Sequence, residues 1–158
     1  ELIYKLSEDD VANLMKKLKS LNNKDADELT NIINEYIRTL KSTILLAKKL
    51  TDDETEIVEL DRIQRIINIL PNEEIFLRSA EKVWAVKEHI LKKNAQYFLN
   101  RDYSSMIKKD SNQTMIESLV EIVKNKFNIL TQKEQDEFWK KGAGLLQCVI
   151  KYKLLFKK

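Results

Sequence analysis

Glycine and proline are scarce along this chain, and the scarcity restricts the folds that the chain can adopt. Its 158 residues include only two glycines and one proline. Folds built from β-sheets need many tight turns, and turns depend strongly on these two residue types. The composition therefore favours helices joined by short polar links. The single proline, Pro71, is expected to mark the end of a helix, because proline disfavours helical backbone in the residue before it.

Apolar residues recur at helical spacing along most of the sequence. Steps of three and four residues place side chains on one face of a helix. A Thr131–Glu134 capping box marks the start of the last helix. The stripes predict six helices: from Ser7 to about Leu21, from Asp25 or Asp27 to about Leu50, from Thr51–Asp52 to Leu70, from Asn72 to Leu99 or to a break near Lys93–Asn94, from about Thr114 to Leu130, and from Thr131 towards the C-terminus.

The last predicted helix contains the most apolar stretch of the chain, residues 138–156. It shows two apolar stripes, and a wide apolar arc is typical of a helix that has neighbours on several sides. Gly142 and Gly144 lie within this helix. Their presence predicts either that a neighbouring helix approaches closely at this point or that the helix breaks there. The expected fold is a single all-α domain over residues 1–158, a compact bundle of about six helices around an apolar C-terminal helix. The first stripe is Phe138, Leu145, Val149 and Tyr152, and the second is Trp139, Leu146, Ile150 and Leu154.

Composition and charge limit the class of protein. Apolar residues make up 43% of the chain, which permits a core, and the net charge of +3 is too small to indicate nucleic-acid binding by itself. A lone cysteine gives no sign of an oxidising compartment, so we expect an intracellular location, cytoplasmic or nuclear, or a virion. No apolar run approaches the roughly 20 residues that span a bilayer. The chain begins at Glu1, which leaves open that it is a fragment.

We expect no enzymatic activity, no cofactor and no metal site. His89 is the only histidine, and it lies among charged residues on a predicted helix. Cys148 lies among apolar residues, which is typical of a buried small hydrophobe rather than a nucleophile. The acidic residues 52–61 lack the calcium-loop pattern, and Gly142-Ala143-Gly144 lacks the strand and the lysine of a phosphate loop.

Two sets of residues are candidates for binding a partner. The second stripe of the last helix (Trp139, Leu146, Ile150 and Leu154) would bind a protein partner or a second copy of the chain, provided that the core does not cover it. This is the leading hypothesis. The alternative is nucleic-acid binding, in which Tyr97, Phe98 and Tyr103 would stack on bases while cations contact phosphates. Those cations are Lys92, Lys93, Arg101, Lys108, Lys109 and the lysines of the C-terminal tail.

Residues 90–158 resemble small uncharacterised helical proteins of large nucleocytoplasmic DNA viruses. Three segments carry the resemblance: ILKKNAQYFLNRDY at 90–103, FNILTQKEQDEFWK at 127–140 and LLQCVIKY at 145–152. The proteins of that group share an ending in which a loop and a Leu-Ser/Thr pair precede Trp-Lys, an apolar helix and Lys-Tyr. The resemblance implies a viral or virion-associated origin, and it transfers no functional residue.

Overall fold

The computed structural model describes residues 8–103, 107 and 114–156. Within these residues the chain forms eight α-helices and no strand, which confirms the predicted all-α class. Ser7, the predicted start of the first helix, lies outside the described residues. The helices are α1 (Glu8–Lys19), α2 (Asn23–Leu50), α3 (Glu54–Ile69), α4 (Asn72–Ala85), α5 (Lys87–Leu91), α6 (Ala95–Leu99), α7 (Met115–Phe127) and α8 (Gln132–Phe156).

The structure divides the fourth predicted helix into three, α4, α5 and α6. The alternative break near Lys93–Asn94 is confirmed, because Lys93 adopts a φ of 51°, in the left-handed region that residues with a side chain rarely use. Asn94 then caps α6 by accepting a hydrogen bond from the Tyr97 N–H at 3.3 Å. The break at Val86 was not predicted, because the apolar spacing continues across it into α5.

Side-chain caps define the starts of α2, α3 and α8. Thr131 and Glu134 form the predicted capping box: the Thr131 N–H donates to Glu134 Oε1 at 2.8 Å, and the Glu134 N–H donates to Thr131 Oγ1 at 3.2 Å. The prediction that the second helix starts at Asp25 or Asp27 is wrong. Asn22 caps α2, and its side chain accepts from the Asp25 N–H at 2.8 Å. Asn72 is the first residue of α4 rather than its cap.

Helices α2 and α8 lie antiparallel to one another and share the centre of the bundle. Lys141 Nζ donates to Ser42 Oγ at 2.7 Å, and Gly144, one turn further along α8, lies beside Thr39, one turn back along α2. Helix α2 also packs against α3, α4 and α7, whereas α8 also packs against α4 and α5. The apolar C-terminal helix is therefore central, as predicted, together with the long second helix.

Three aromatic rings join α2, α4 and α8 in the core. Tyr36 packs edge-on against Phe76 with ring centroids 4.9 Å apart, and Phe76 packs in the same way against Tyr152 at 5.0 Å. The Tyr36 hydroxyl lies 2.7 Å from Ser79 Oγ, so this buried polar group is hydrogen-bonded. Burial raises the pKa of Tyr36 and raises the pKa of Tyr152 to about 12. Both phenols therefore stay neutral at physiological pH.

Helix α8 continues through both glycines, so the alternative of a break there is excluded. A Cβ atom added at Gly142 would lie 3.7 Å from Ile90 Cγ2, and one added at Gly144 would lie 3.5 Å from Thr39 Cγ2. Both distances are ordinary van der Waals contacts. A neighbouring helix therefore lies beside each glycine, as predicted, but not so close that glycine is required, because alanine fits at either position.

Replacing Gly142 or Gly144 with alanine is expected to raise the free energy of unfolding by about 1 kcal/mol each, since glycine in a helix interior is less favourable than alanine by that amount. Urea denaturation followed by circular dichroism measures the change. A loss of stability in either variant would show that its neighbouring side chain cannot accommodate a methyl group.

Candidate functional site

A cavity of ≈ 170 Å³ lies between helices α4, α5, α6, α7 and α8. Its lining is mainly apolar, and most of the lining side chains are half-buried, so that the cavity is partly open to the surface. The walls include Phe98 and Leu99 from α6, Val123 and Phe127 from α7, and Trp139 and Gly142 from α8.

Three aromatic side chains from three different helices meet in the cavity wall. The Trp139 ring lies 6.0 Å from the Phe98 ring and 5.9 Å from the Phe127 ring, measured between centroids. These are the distances of ordinary aromatic pairs. Trp139, which the sequence suggested as a partner-binding residue, therefore belongs to this wall.

A buried ion pair lies beside the cavity. Lys82, which lines the cavity, donates to Glu117 Oε1 at 2.9 Å, and the two side chains are only 4% and 0% exposed. The pair connects α4 to α7. Neither residue was predicted from the sequence, although both interrupt otherwise buried faces of their helices.

The second apolar stripe of α8 does not form one surface, which corrects the sequence-based expectation. Leu146 is 1% exposed and belongs to the core, whereas Ile150 is 36% exposed and Leu154 is 57% exposed. The reason is geometrical. Each step of four residues overshoots a full helical turn by about 40°, so a stripe built on such steps drifts around the helix from core to surface.

The exposed side of α8 combines apolar and positively charged residues. We define the α8 patch as Ala143, Gln147, Ile150 and Leu154, which are all exposed and recur at steps of four, three and four. Residues 138–158 contain no acid at all. Two lysines of α8 are held by the protein, since Lys153 pairs with Glu81 at 2.6 Å and Lys141 bonds to Ser42, whereas Lys140 and Lys151 are exposed.

The aromatic residues of the predicted nucleic-acid site are engaged within the protein. Tyr103 is 0% exposed. The Tyr97 ring stacks on His89 at 3.6 Å, and the Arg101 guanidinium lies 5.1 Å from the Tyr97 centroid. This arrangement does not support the expectation that these rings stack on bases, and Phe98 faces the cavity instead.

The cations of the same predicted site are only partly brought together. Lys92 and Lys93 are exposed at the end of α5, and Arg101 is half-buried over the tyrosine rings. Lys108, Lys109 and the tail lysines Lys157 and Lys158 lie outside the described residues. Nucleic-acid binding through these cations stays a prediction.

The remaining reactive side chains are enclosed or engaged. Cys148 is buried, as predicted, and burial, with a smaller contribution from Glu35, raises the pKa of its thiol. His89 Nδ1 lies 3.1 Å from Asn94 Nδ2. Across the described ranges, no three His, Cys, Asp or Glu side chains are grouped to hold a metal ion. Among the helices that the structure describes, none is long and apolar enough to cross a membrane.

Comparison with family models, with curated proteins and with solved structures finds no match for this chain. The resemblance to viral helical proteins therefore stays a prediction.

Proposed function

We propose that this chain is a non-enzymatic helical interaction or assembly module that binds an acidic amphipathic segment of another protein on the α8 patch. The observation that carries the proposal is the exposure of Ile150 and Leu154 on a helix whose C-terminal half contains lysines and no acid. Exposed apolar side chains at helical spacing are typical of surfaces that accept a partner helix. A viral or virion-associated origin belongs to the same proposal.

The charge around the patch favours a different protein over a second copy of this chain. In a symmetric dimer the lysines of both α8 helices, including the exposed Lys140 and Lys151, would face one another, and like charges across an interface are unfavourable. A partner with acidic residues beside its apolar anchors would instead complement the lysines of α8. The patch extends over about 17 Å, so a partner helix of about three turns would match it.

A synthetic acidic helical peptide tests this proposal. A peptide of about 18 residues is long enough for appreciable helicity. With leucine on one face and glutamate on the others, it should bind to the protein, and binding should weaken as salt screens the charges. Replacing Ile150 or Leu154 with aspartate should weaken binding by roughly tenfold each, as expected for an apolar anchor of an interface. Fluorescence anisotropy of the labelled peptide measures the affinity.

Two controls make the outcome decisive. Val58→Asp changes a similarly exposed apolar residue on α3, away from the patch, and should leave binding unchanged. A peptide with the same leucines and lysine in place of glutamate should bind much more weakly. Equal binding of both peptides, or of the Ile150→Asp variant and the parent protein, would contradict the proposal.

Displacement of the peptide by single-stranded DNA would favour the nucleic-acid alternative, and a salt-insensitive dimer would favour self-association.

A further inference from the structure

The cavity enclosed by helices α4 to α8 is distinct from the α8 patch, and the proposed function does not use the cavity. We propose that the cavity is a binding site for a small, neutral and mainly apolar molecule of about the size of one substituted aromatic ring. Its volume is ≈ 170 Å³. For comparison, an engineered cavity of about 150 Å³ lined by aliphatic and aromatic side chains binds benzene.

The polar groups of the lining explain why the ligand should be neutral. Lys82 is paired with Glu117, and the Thr43 hydroxyl donates to a backbone carbonyl at 2.8 Å. Lys124 Nζ donates to the Arg101 carbonyl at 2.5 Å, and its charge is paired with Glu121 Oε1 at 3.6 Å. Each of these groups already has a partner within the protein. A charged ligand would give up its hydration without gaining a counter-charge, and such a loss is strongly unfavourable.

The walls explain why the ligand should be apolar and why an aromatic ring suits them. Phe98, Phe127 and Trp139 present ring surfaces from three helices, and Val123 and Leu145 add aliphatic surface. Aromatic rings pack favourably against one another edge to face or offset. A planar ring is therefore well matched to this wall.

Gly142 keeps part of the cavity open. A Cβ atom at this position would meet only Ile90 within 4 Å, at 3.7 Å, so packing does not require a glycine. A helix-forming residue with a longer side chain would extend into the cavity, which Gly142 lines. The position thus provides a direct way to fill the proposed site from α8.

Titration with toluene, followed by two-dimensional NMR of the full chain, tests the proposal. Toluene should cause saturable shifts in the amide signals of Val123 and Leu145 and in the indole signal of Trp139. Benzoate, which has the same ring and a negative charge, should cause no saturable shift at these positions. Shifts that grow without saturation, or equal binding of benzoate, would overturn the proposal.

Variants with a filled cavity complete the test. Gly142→Leu should weaken toluene binding by at least about tenfold, because a hydrophobic pocket discriminates by factors of this order against groups that no longer fit. Val123→Phe fills the cavity from α7 and should have the same effect, which keeps the test valid if one variant does not fold. Gly144→Ala changes the other helical glycine, which does not line the cavity, and should leave binding unchanged. Unchanged toluene binding in a folded filled variant would show that toluene binds elsewhere.

Discussion

Replacing Glu117 with alanine is expected to lower the free energy of unfolding by about 3–5 kcal/mol, because it removes the carboxylate that pairs with the buried charge of Lys82. Lys82 and Glu117 are almost completely enclosed, and the 2.9 Å contact between them joins α4 to α7. Removing one member of a buried ion pair costs much more than the net contribution of the intact pair. Urea denaturation monitored by far-ultraviolet circular dichroism gives the change.

The matched control is the double replacement of Lys82 with methionine and Glu117 with leucine. This change removes both charges and keeps most of the side-chain volume, so its stability should equal or exceed that of the parent protein. If the single Glu117→Ala variant lost less than about 1 kcal/mol, as exposed ion pairs do, the pair would not be buried in solution. A double variant as unstable as the single one would indicate that the pair stabilises the bundle directly.

Replacing Leu146 with aspartate is expected to unfold the protein or to destabilise it by at least about 4 kcal/mol, because it places an unpaired carboxylate in the core. The same replacement at Ile150, one turn further along α8, should cost about 2 kcal/mol or less. That smaller cost comes from the lower helix propensity of aspartate and from the loss of the buried part of the Ile150 side chain, which is 36% exposed. Thermal unfolding of both variants measures the difference.

Comparing these two variants also separates an effect on folding from an effect on peptide binding. A folded Ile150→Asp variant that no longer binds the acidic peptide would assign the loss to the α8 patch. If both variants unfolded, Ile150 would belong to the core and the patch would not exist as described. If both remained folded with similar stability, the burial of Leu146 would be contradicted.

The sequence predicted the helical class and several helix ends, because these depend on local chemistry. The Thr131–Glu134 capping box is formed by backbone and side-chain atoms only three residues apart, and the structure confirms it. The break at Val86 could not be predicted, because apolar periodicity reports which face is buried and not whether the backbone continues. The start of α2 was placed at Asp25 or Asp27 instead of Asn22, because several cap-type residues follow one another at that point.

The candidate sites were predicted only in part, because they depend on contacts between distant residues. Leu146 and Ile150 are four residues apart on one apolar stripe, although one lies in the core and the other at the surface. Periodicity alone therefore cannot tell which of them is buried. Lys82 and Glu117 are 35 positions apart, and only the packing of α4 on α7 makes them a pair. The signal that could have identified them is a charge of opposite sign on the buried face of each helix.

The two shortest helices form one side of the cavity, and this has a consequence for the kinetics of ligand exchange. Helices α5 and α6 have five residues each and meet at Lys93, whose backbone lies in the left-handed region. Helices this short have little stability of their own, so local unfolding of such segments costs far less than global unfolding. Local unfolding of these segments would widen the opening of the cavity while α2 and α8 remain intact. The lifetime of a bound molecule would then depend on these two single-turn segments rather than on the stability of the whole bundle.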